Sequence, residues 1–213
     1  MPASEIGLKS LRESYVKLNA DIEKRLEEFN GLWKTKSDKK LFAELCFCLL
    51  TPQSKARTCW AAVTGLKNKG LLFKGTAGQV SSNINGVRFM NNKAGYIVNV
   101  RKQLAAIKKE IRKTGNILEL RDWLVKNICG MGYKESSHFL RNIGFGKDIA
   151  ILDRHILKNL KIHGVIKEIP KSISPKKYFE IEQKMKIFSG KIKIPLSHLD
   201  LLFWAKEAGD IFK

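Results

Sequence analysis

The sequence has few acidic residues: 20 Asp and Glu stand against 40 Lys and Arg among 213 residues, giving a formal net charge of +20. A field of this sign attracts polyanions, and nucleic acid is the commonest polyanion inside cells. The alternative is a lysine-rich thermophile surface, but such surfaces usually gain Glu in parallel. The scarcity of acid therefore favours a nucleic-acid partner.

The sequence also has no apolar run of the roughly 18 residues needed to span a membrane, and no signal-peptide pattern. Its cysteines are few and include no C-x-x-C pair; they are Cys46, Cys48, Cys59 and Cys129. Their spacing fits neither a zinc site nor an iron–sulfur cluster, and no acidic cluster is arranged for a divalent metal. We expect free thiols in a reducing cytoplasm, no membrane association and no cofactor.

Strand patterns are missing too, because no alternating apolar stretch is long enough to make one. Helical periodicity runs through most of the chain, and the fold class is predicted to be all-α. The predicted helices cover residues 21–29, 38–50, 76–84, 92–113, 118–127 and 196–208. Further helices are expected after the N-cap candidates Ser54, Asp153 and Ser174, the last with Pro175 at the first helical position.

One stretch interrupts the helices in a distinctive way: residues 127–142 read N-I-C-G-M-G-Y-K-E-S-S-H-F-L-R-N. Gly130 and Gly132 are expected to let the chain reverse through dihedral angles that a Cβ atom would forbid. A new helix then begins, with Lys134 in its first turn. Its outward N–H groups form a binding site for an anion such as a DNA phosphate.

Lys134 and Asp153, 19 residues later, are the candidate catalytic residues. A neutral lysine amine is a nucleophile, and a helix N-terminus and a field of +20 both favour the neutral form. Such an amine could attack C1′ of a deoxyribose and form a Schiff base, while a carboxylate stabilises the developing positive charge. The alternatives are a surface lysine on a phosphate and an ordinary N-cap aspartate. His138 lies one turn after Lys134 on the same face, although a histidine there is more often packed in a core.

The motif I-C-G-M-G-Y-K, followed by A-I-L-D-R-H at residues 150–155, resembles the helix–hairpin–helix DNA glycosylases. The usual hairpin reads L-P-G-V-G-x-K, so this chain departs from it at Cys129 and Met131. The remaining segments most resemble the archaeal-type (type-2) 8-oxoguanine DNA glycosylase/lyases; they are E-L-C-F-C-L-L-T, K-E-S-S-H-F-L-R-N-I-G and D-L-L-F-W-A-K-E-A-G-D-I-F-K. No cysteine follows Cys129, which argues against the cluster-bearing endonuclease III and adenine glycosylase types.

The resemblance implies two helical lobes with an active-site cleft between them. One lobe would span residues 41–147 and contain the helix–hairpin–helix at about 118–142; the other would combine residues 1–40 and 148–213. The implied activity is excision of 8-oxoguanine from duplex DNA, followed by β-elimination through a Schiff base on Lys134, with Asp153 stabilising charge. The implied partner is double-stranded DNA containing oxidised guanine, bound by a monomer.

The resemblance also assigns residues to the damaged base and to the DNA. The base-recognition candidates are Lys213 with its terminal carboxylate, Trp204, His138, Phe89 and Asp200. The DNA-binding candidates are Gln53, which would insert into the duplex, with Gly130, Gly132 and Arg154. A monovalent cation is implied at the main-chain oxygens of Lys126, Ile128 and Met131. The competing interpretations are a frayed tail for Lys213, core packing for Trp204 and Phe89, and a turn without a role for Gln53.

Three other functions share part of this pattern. A non-catalytic helix–hairpin–helix module needs the hairpin and the charge but not Asp153 at its spacing. A glycosylase for another oxidised base shares the chemistry but does not need the carboxylate at Lys213. A basic structural or ribosome-associated protein needs only the charge.

The charge leads to a first prediction, that duplex binding weakens steeply with salt. Phosphate contacts release condensed counterions, so six or more contacts reduce affinity by about a thousandfold or more between 50 and 200 mM salt. Fluorescence anisotropy of a labelled duplex across that range measures the slope. An affinity that hardly changes with salt would contradict the assignment of the charge to phosphate binding.

Overall fold

The computed structural model describes residues 5–113 and 115–213, and the elements found there are all helices, without a β-strand. The all-α prediction is confirmed. The helices are α1 (Glu5–Lys34), α2 (Asp38–Leu50), α3 (Ala56–Asn68), α4 (Leu71–Lys74), α5 (Ala77–Ser81), α6 (Met90–Lys113), α7 (Ile117–Asn127), α8 (Tyr133–Asn142), α9 (Arg154–Ile162), α10 (Pro175–Ile192) and α11 (Leu196–Ala208). Within the described ranges, no helix is long and apolar enough to cross a bilayer.

The chain divides into two compact units. One comprises the described residues of Met1–Gly31 together with Gly144–Lys213, and the other comprises Leu32–Ile143. The boundaries proposed from the sequence fall after residues 40 and 147. The hairpin therefore belongs to the Leu32–Ile143 unit, called the middle unit from here on. Asp153 belongs to the other unit, which contains Gly144–Lys213.

Helix α2 forms the centre of the Leu32–Ile143 unit. Every side chain from Leu41 to Leu50 is buried, and α2 packs against α3, α6 and α8. Its one buried acid, Glu44, accepts a hydrogen bond from Asn142 Nδ2 of α8 at 3.0 Å. The predicted range of 38–50 is confirmed, because an apolar run this long belongs inside a core. The C-terminal end of α2 is consequently held by the surrounding core, and the candidate active site lies beside it.

In the other unit, α11 packs against both α9 and α10. The loop that leads into α9 is tied to α10: Tyr178 Oη donates to the carbonyl of Ala150 at 2.6 Å, and the Ala150 N–H donates to Glu182 Oε1 at 2.8 Å. Ser174 caps α10 with Pro175 at the first position, as predicted. Asp153 is thereby placed by a loop that is anchored to α10 through both main-chain groups of Ala150.

Two local predictions are wrong. Helix α1 begins at Glu5 rather than near residue 21, because Leu8, Leu11, Tyr15 and Leu18 continue the same three-and-four spacing into Ile22. Ser54 does not cap α3, whose N-cap is Lys55 without a side-chain hydrogen bond. The Ser54 hydroxyl instead accepts the Arg88 N–H at 3.0 Å, a contact across 34 residues that local pattern cannot reveal.

Candidate active site

The hairpin between α7 and α8 is a tight turn that needs glycine at its first position. The Met131 N–H donates to the Ile128 carbonyl at 3.1 Å, and Gly130 between them has φ +89°. A Cβ atom on Gly130 would overlap the ring of Tyr96 on α6. The backbone conformation predicted for Gly130 is confirmed, and its position against Tyr96 is a second reason for glycine; its contact with DNA stays a prediction.

The same prediction is wrong for Gly132. Its φ of −91° and ψ of −174° are extended values that any residue adopts. Gly132 is the N-cap of α8, and its N–H donates to Glu135 Oε2 at 3.2 Å. The spacing is that of a capping box, in which the third helical residue reaches back to the N-cap amide. Glu135 was missed from the sequence, although this spacing could have revealed it.

A buried arginine joins the two helices of the hairpin. Arg121 of α7 is completely buried, donates from Nη1 to Ser137 Oγ of α8 at 3.1 Å, and has its guanidinium carbon 5.7 Å from the centre of the Tyr133 ring. A charged group with such partners fixes the geometry of the helices around it. The first turn of α8 is thus rigidly oriented.

Lys134 lies in that first turn, and its ammonium group is held by two neighbours. Nζ donates to Thr51 Oγ1 at 3.3 Å and lies 3.6 Å from Glu135 Oε1, with 22% of the side chain exposed. Thr51 Oγ1 itself donates to the Cys48 carbonyl at 2.9 Å, so it presents a lone pair to the lysine. Lys134 is therefore a positioned, solvent-accessible amine rather than an unconstrained surface lysine.

Two exposed side chains of the same unit stand on strained backbone. Gln53, in the turn after α2, has φ +54°, and Phe89, before α6, has φ +59°. Non-glycine residues in this region cost of order 1–3 kcal/mol each, and they cluster at functional sites. Phe89 is 54% exposed, and the Arg88 guanidinium lies 5.5 Å from its ring centre. The core interpretation of Phe89 is therefore wrong.

Lys93 of α6 was missed from the sequence, and it is buried, with a relative exposure of 3%. Nζ donates to the carbonyls of Leu50 and Pro52, both at 2.7 Å, and to Ser54 Oγ at 3.1 Å. Burial lowers the pKa of Lys93 below its ordinary 10.5; Cys59 opposes this shift, and the nearby Lys134 adds to it. The sequence did carry a signal, because Lys93 falls on the apolar face of α6, four residues before the buried Ile97.

His138 lies one turn after Lys134 on α8 and is 5% exposed. Its ring meets the ring of Phe47 edge-on, with centres 5.3 Å apart. The histidine is therefore packed against the central helix α2. Its predicted role at the damaged base stays a prediction.

In the unit that contains both chain ends, Asp153 caps α9 as predicted. Oδ1 accepts the N–H groups of His155 at 2.8 Å and Ile156 at 2.9 Å. The carboxylate is half-buried, and the next side chain, Arg154, is exposed. N-cap geometry holds the group in one orientation, which also suits an electrostatic role.

The three remaining base-recognition candidates belong to α11 and the segment after it. Asp200 is buried and Trp204, one turn later, is half-buried. Gly209 ends α11 with φ +85°, and Phe212 then returns to Trp204, with ring centres 6.3 Å apart. Lys213 follows directly and is half-buried. The structure thus brings Trp204 and the segment around Lys213 together.

The carbonyls proposed for a monovalent cation lie around the C-terminus of α7. Lys126 is in its last turn and Ile128 is its C-cap, where carbonyls lack helical partners and the helix dipole is negative. The Ile128 oxygen already accepts the Met131 N–H, so one lone pair is left for an ion. The donor set fits a cation, and the site stays a prediction.

Comparison with known proteins agrees with this geometry. The family model described as 8-oxoguanine DNA glycosylase (Ogg-HhH) matches residues 22–194. The 8-oxoguanine DNA glycosylase/AP lyase of Fusobacterium nucleatum is 47% identical over 208 residues, covering 95% of this chain and 96% of the relative. The one from Methanocaldococcus jannaschii is 38% identical over 192 residues, covering 90% and 91%.

Solved structures are similar as well. The M. jannaschii 8-oxoguanine glycosylase/lyase in complex with a 15-mer DNA containing 8-oxoguanine superposes with a TM-score of 0.89 at 35% identity, over 97% of this chain and 99% of that one. The Thermotoga maritima 8-oxoguanine DNA glycosylase gives a TM-score of 0.85 at 33% identity, over 97% and 98%.

The hairpin geometry predicts that its two glycines respond differently to alanine. Gly130→Ala is expected to lower the free energy of unfolding by about 2 kcal/mol or more, because it strains φ and displaces Tyr96. Gly132→Ala keeps an allowed backbone and meets only the tip of a flexible glutamate at 3.1 Å, so its effect stays within about 1 kcal/mol. Urea denaturation of both variants measures this. Equal losses would contradict the hairpin geometry.

Proposed function

Because the chain belongs to the 8-oxoguanine DNA glycosylase family, we propose that it excises 8-oxoguanine from duplex DNA and nicks the resulting abasic site by β-elimination. The observation that carries this proposal is the Lys134 amine, which is accessible yet held by Thr51 and Glu135 in the first turn of a hairpin helix. A non-catalytic module needs the hairpin amides to hold DNA, but it does not need a positioned amine.

The proposed first step is covalent. The neutral Lys134 amine attacks C1′, the bond from C1′ to the base breaks, and the base leaves with the bonding electron pair and then takes up a proton. The C1′–O4′ bond then breaks, O4′ takes up the proton released by the nitrogen, and a protonated Schiff base is left between Nζ and C1′. Loss of a C2′ proton then expels the 3′ phosphate, and hydrolysis of the imine releases Lys134. A covalent intermediate divides one difficult step into easier ones.

Before attack, the ammonium form of Lys134 must lose a proton. Glu135 Oε1, the carboxylate oxygen 3.6 Å from Nζ, is proposed to accept that proton, because the other carboxylate oxygen accepts the Gly132 N–H. Thr51 holds the amine in place during this transfer. Asp153, oriented by its N-cap bonds, is proposed to stabilise the positive charge that develops on the sugar as the base leaves.

The flipped base needs stacking surfaces and polar contacts, since leaving the duplex stack costs a few kcal/mol. Trp204 and Phe89 are the proposed stacking residues, and His138 and Asp200 are proposed to contact base or sugar. Lys213 is proposed to read the guanine edge. Its position after Phe212, which contacts Trp204, supports this assignment.

The hairpin amides at Gly130 and Gly132 are proposed to bind backbone phosphates, with the exposed Arg154 contributing a further contact. A monovalent cation on the carbonyls of Lys126, Ile128 and Met131 would add positive charge beside the same phosphates. Gln53 is proposed to enter the space that the flipped nucleotide leaves. Action as a monomer and a location in the cytoplasm stay predictions.

The nucleophile is tested by trapping. Borohydride is expected to link the wild-type protein to a duplex containing 8-oxoguanine, and Lys134→Gln should reduce the linked product by at least about a thousandfold. The exposed Lys109→Gln is the matched control and should trap like the wild type. The linked product is measured on a denaturing gel. Undiminished trapping by Lys134→Gln would remove Lys134 from the mechanism.

The recognition role of Lys213 makes a separate prediction. Removing Lys213 is expected to slow excision of 8-oxoguanine by at least about tenfold, because a polar contact to the base is lost. Nicking of a preformed abasic site should change little, since no base remains to be read. Single-turnover rates on the two duplexes measure both effects. Equal slowing on both would exclude a role in base recognition.

A further inference from the structure

We propose that Lys93 is a positioning residue that holds two turns together: the Gln53 turn (residues 52–54) and the Phe89 turn (residues 88–89). The exposed side chains of Gln53 and Phe89 are thereby presented to duplex DNA. The inference rests on the proposed function for its consequence, since it concerns how that same site opens the duplex. The hydrogen bonds by which Lys93 joins the two turns, here called the clamp, are a property of the free protein.

The ammonium group of Lys93 closes one side of this clamp. It donates to the carbonyls of Leu50 and Pro52 and to Ser54 Oγ, and these three acceptors use all three of its protons. Leu50 is the last residue of α2, where a cation is favoured by the helix dipole. Pro52 and Ser54 flank Gln53 on both sides. The ammonium group therefore fixes the segment that carries Gln53.

The backbone of Lys93 closes the other side. Its N–H donates to the Phe89 carbonyl at 3.0 Å, and Ser54 Oγ accepts the Arg88 N–H at 3.0 Å. A closed ring of hydrogen bonds thus runs through Lys93, Ser54 and the Phe89 turn. This ring explains how left-handed backbone persists at both Gln53 and Phe89, since such conformations last only where their surroundings over-determine them.

Lys93 Nζ bonds the carbonyls on either side of Thr51, but the hydrogen bonds of Thr51 itself do not involve Lys93. Thr51, which holds Lys134, bonds to the Phe47 and Cys48 carbonyls of α2 rather than to Lys93. Loss of the Lys93 ammonium group should therefore loosen the two turns and leave the Lys134 amine in place. A residue needed only for folding would affect both.

The clamp is tested first in the free protein by hydrogen exchange. Lys93→Met keeps the length of the side chain and removes its donors, and it should speed exchange at residues 53–54 and 88–92 while Thr51, α7 and α8 stay protected. Lys93→Arg, which keeps charge and donors, should restore part of the protection. Lys102→Met, an exposed lysine on the same helix, is the matched control and should resemble the wild type. Unchanged exchange in Lys93→Met would overturn the clamp whatever the protein's activity is.

The consequence for DNA is tested with two substrates. Lys93→Met should slow excision of 8-oxoguanine from a duplex by at least about tenfold, because misplaced side chains no longer support base flipping. Nicking of an abasic site in single-stranded DNA needs Lys134 but no flipping, and it should stay within about twofold of the wild type. Equal slowing on both substrates, or none on the duplex, would overturn the positioning role. A wild-type protein that acts on neither substrate would refute the proposed function while leaving the exchange result to decide the clamp.

If Lys93→Met does not fold, Ser54→Ala provides the second test. It removes the hydroxyl that joins the two turns at a half-buried position, and it leaves the side chain of Lys93 in place. It should give the same selective loss on the duplex substrate, with faster exchange at the Arg88 amide. Wild-type behaviour of Ser54→Ala in both assays would overturn the proposal.

Discussion

The hydrogen bond from Lys134 Nζ to Thr51 Oγ1 is the interaction on which the site depends. It connects the first residues of α8 to the C-terminal end of α2, the most completely buried helix of the middle unit. A nucleophile must be accessible, yet its geometry must be fixed to about half an ångström. Placing it on a helix N-terminus and bonding it to a rigid core helix meets both requirements.

The surroundings of that bond contain charges that would be costly without partners. Arg121 and Lys93 are both buried. Arg121 donates to Ser137 Oγ and lies over the Tyr133 ring, and Lys93 donates to the Leu50 carbonyl. Buried charges specify geometry because few arrangements satisfy them. Buried polar contacts therefore determine the conformation of the hairpin and of the two strained turns. The apolar side chains of α2 contribute most of the packing.

Much of this could be predicted from the sequence, where the signal is local. The run from Leu41 to Leu50, the Gly130 turn and the caps at Asp153 and Ser174 depend on neighbouring residues, and the structure confirms them. The family and the 8-oxoguanine glycosylase/lyase type read from the hairpin motif are confirmed by the comparisons. The glycosylase and lyase reaction could be predicted because the hairpin, the lysine and the aspartate occur together at a recognisable spacing.

What could not be predicted depends on contacts distant in sequence. Thr51 is 83 residues from Lys134, and Lys93 meets its acceptors across about 40 residues, so neither periodicity nor capping rules point to them. Ser54 was misassigned for the same reason, because its tertiary partners outcompete the local cap. Gly132 resembled Gly130 in the sequence, yet only Gly130 requires a positive φ.

The carbon–nitrogen bond to DNA is proposed to form at Lys134. Mass spectrometry of the borohydride-reduced wild-type adduct, after proteolysis and nuclease digestion, tests it directly, since the reduced sugar fragment stays on the nucleophile. We expect the added mass on Lys134, in the peptide that contains Glu135 and His138. An adduct on Lys93, on another lysine or on the N-terminal amine would contradict it.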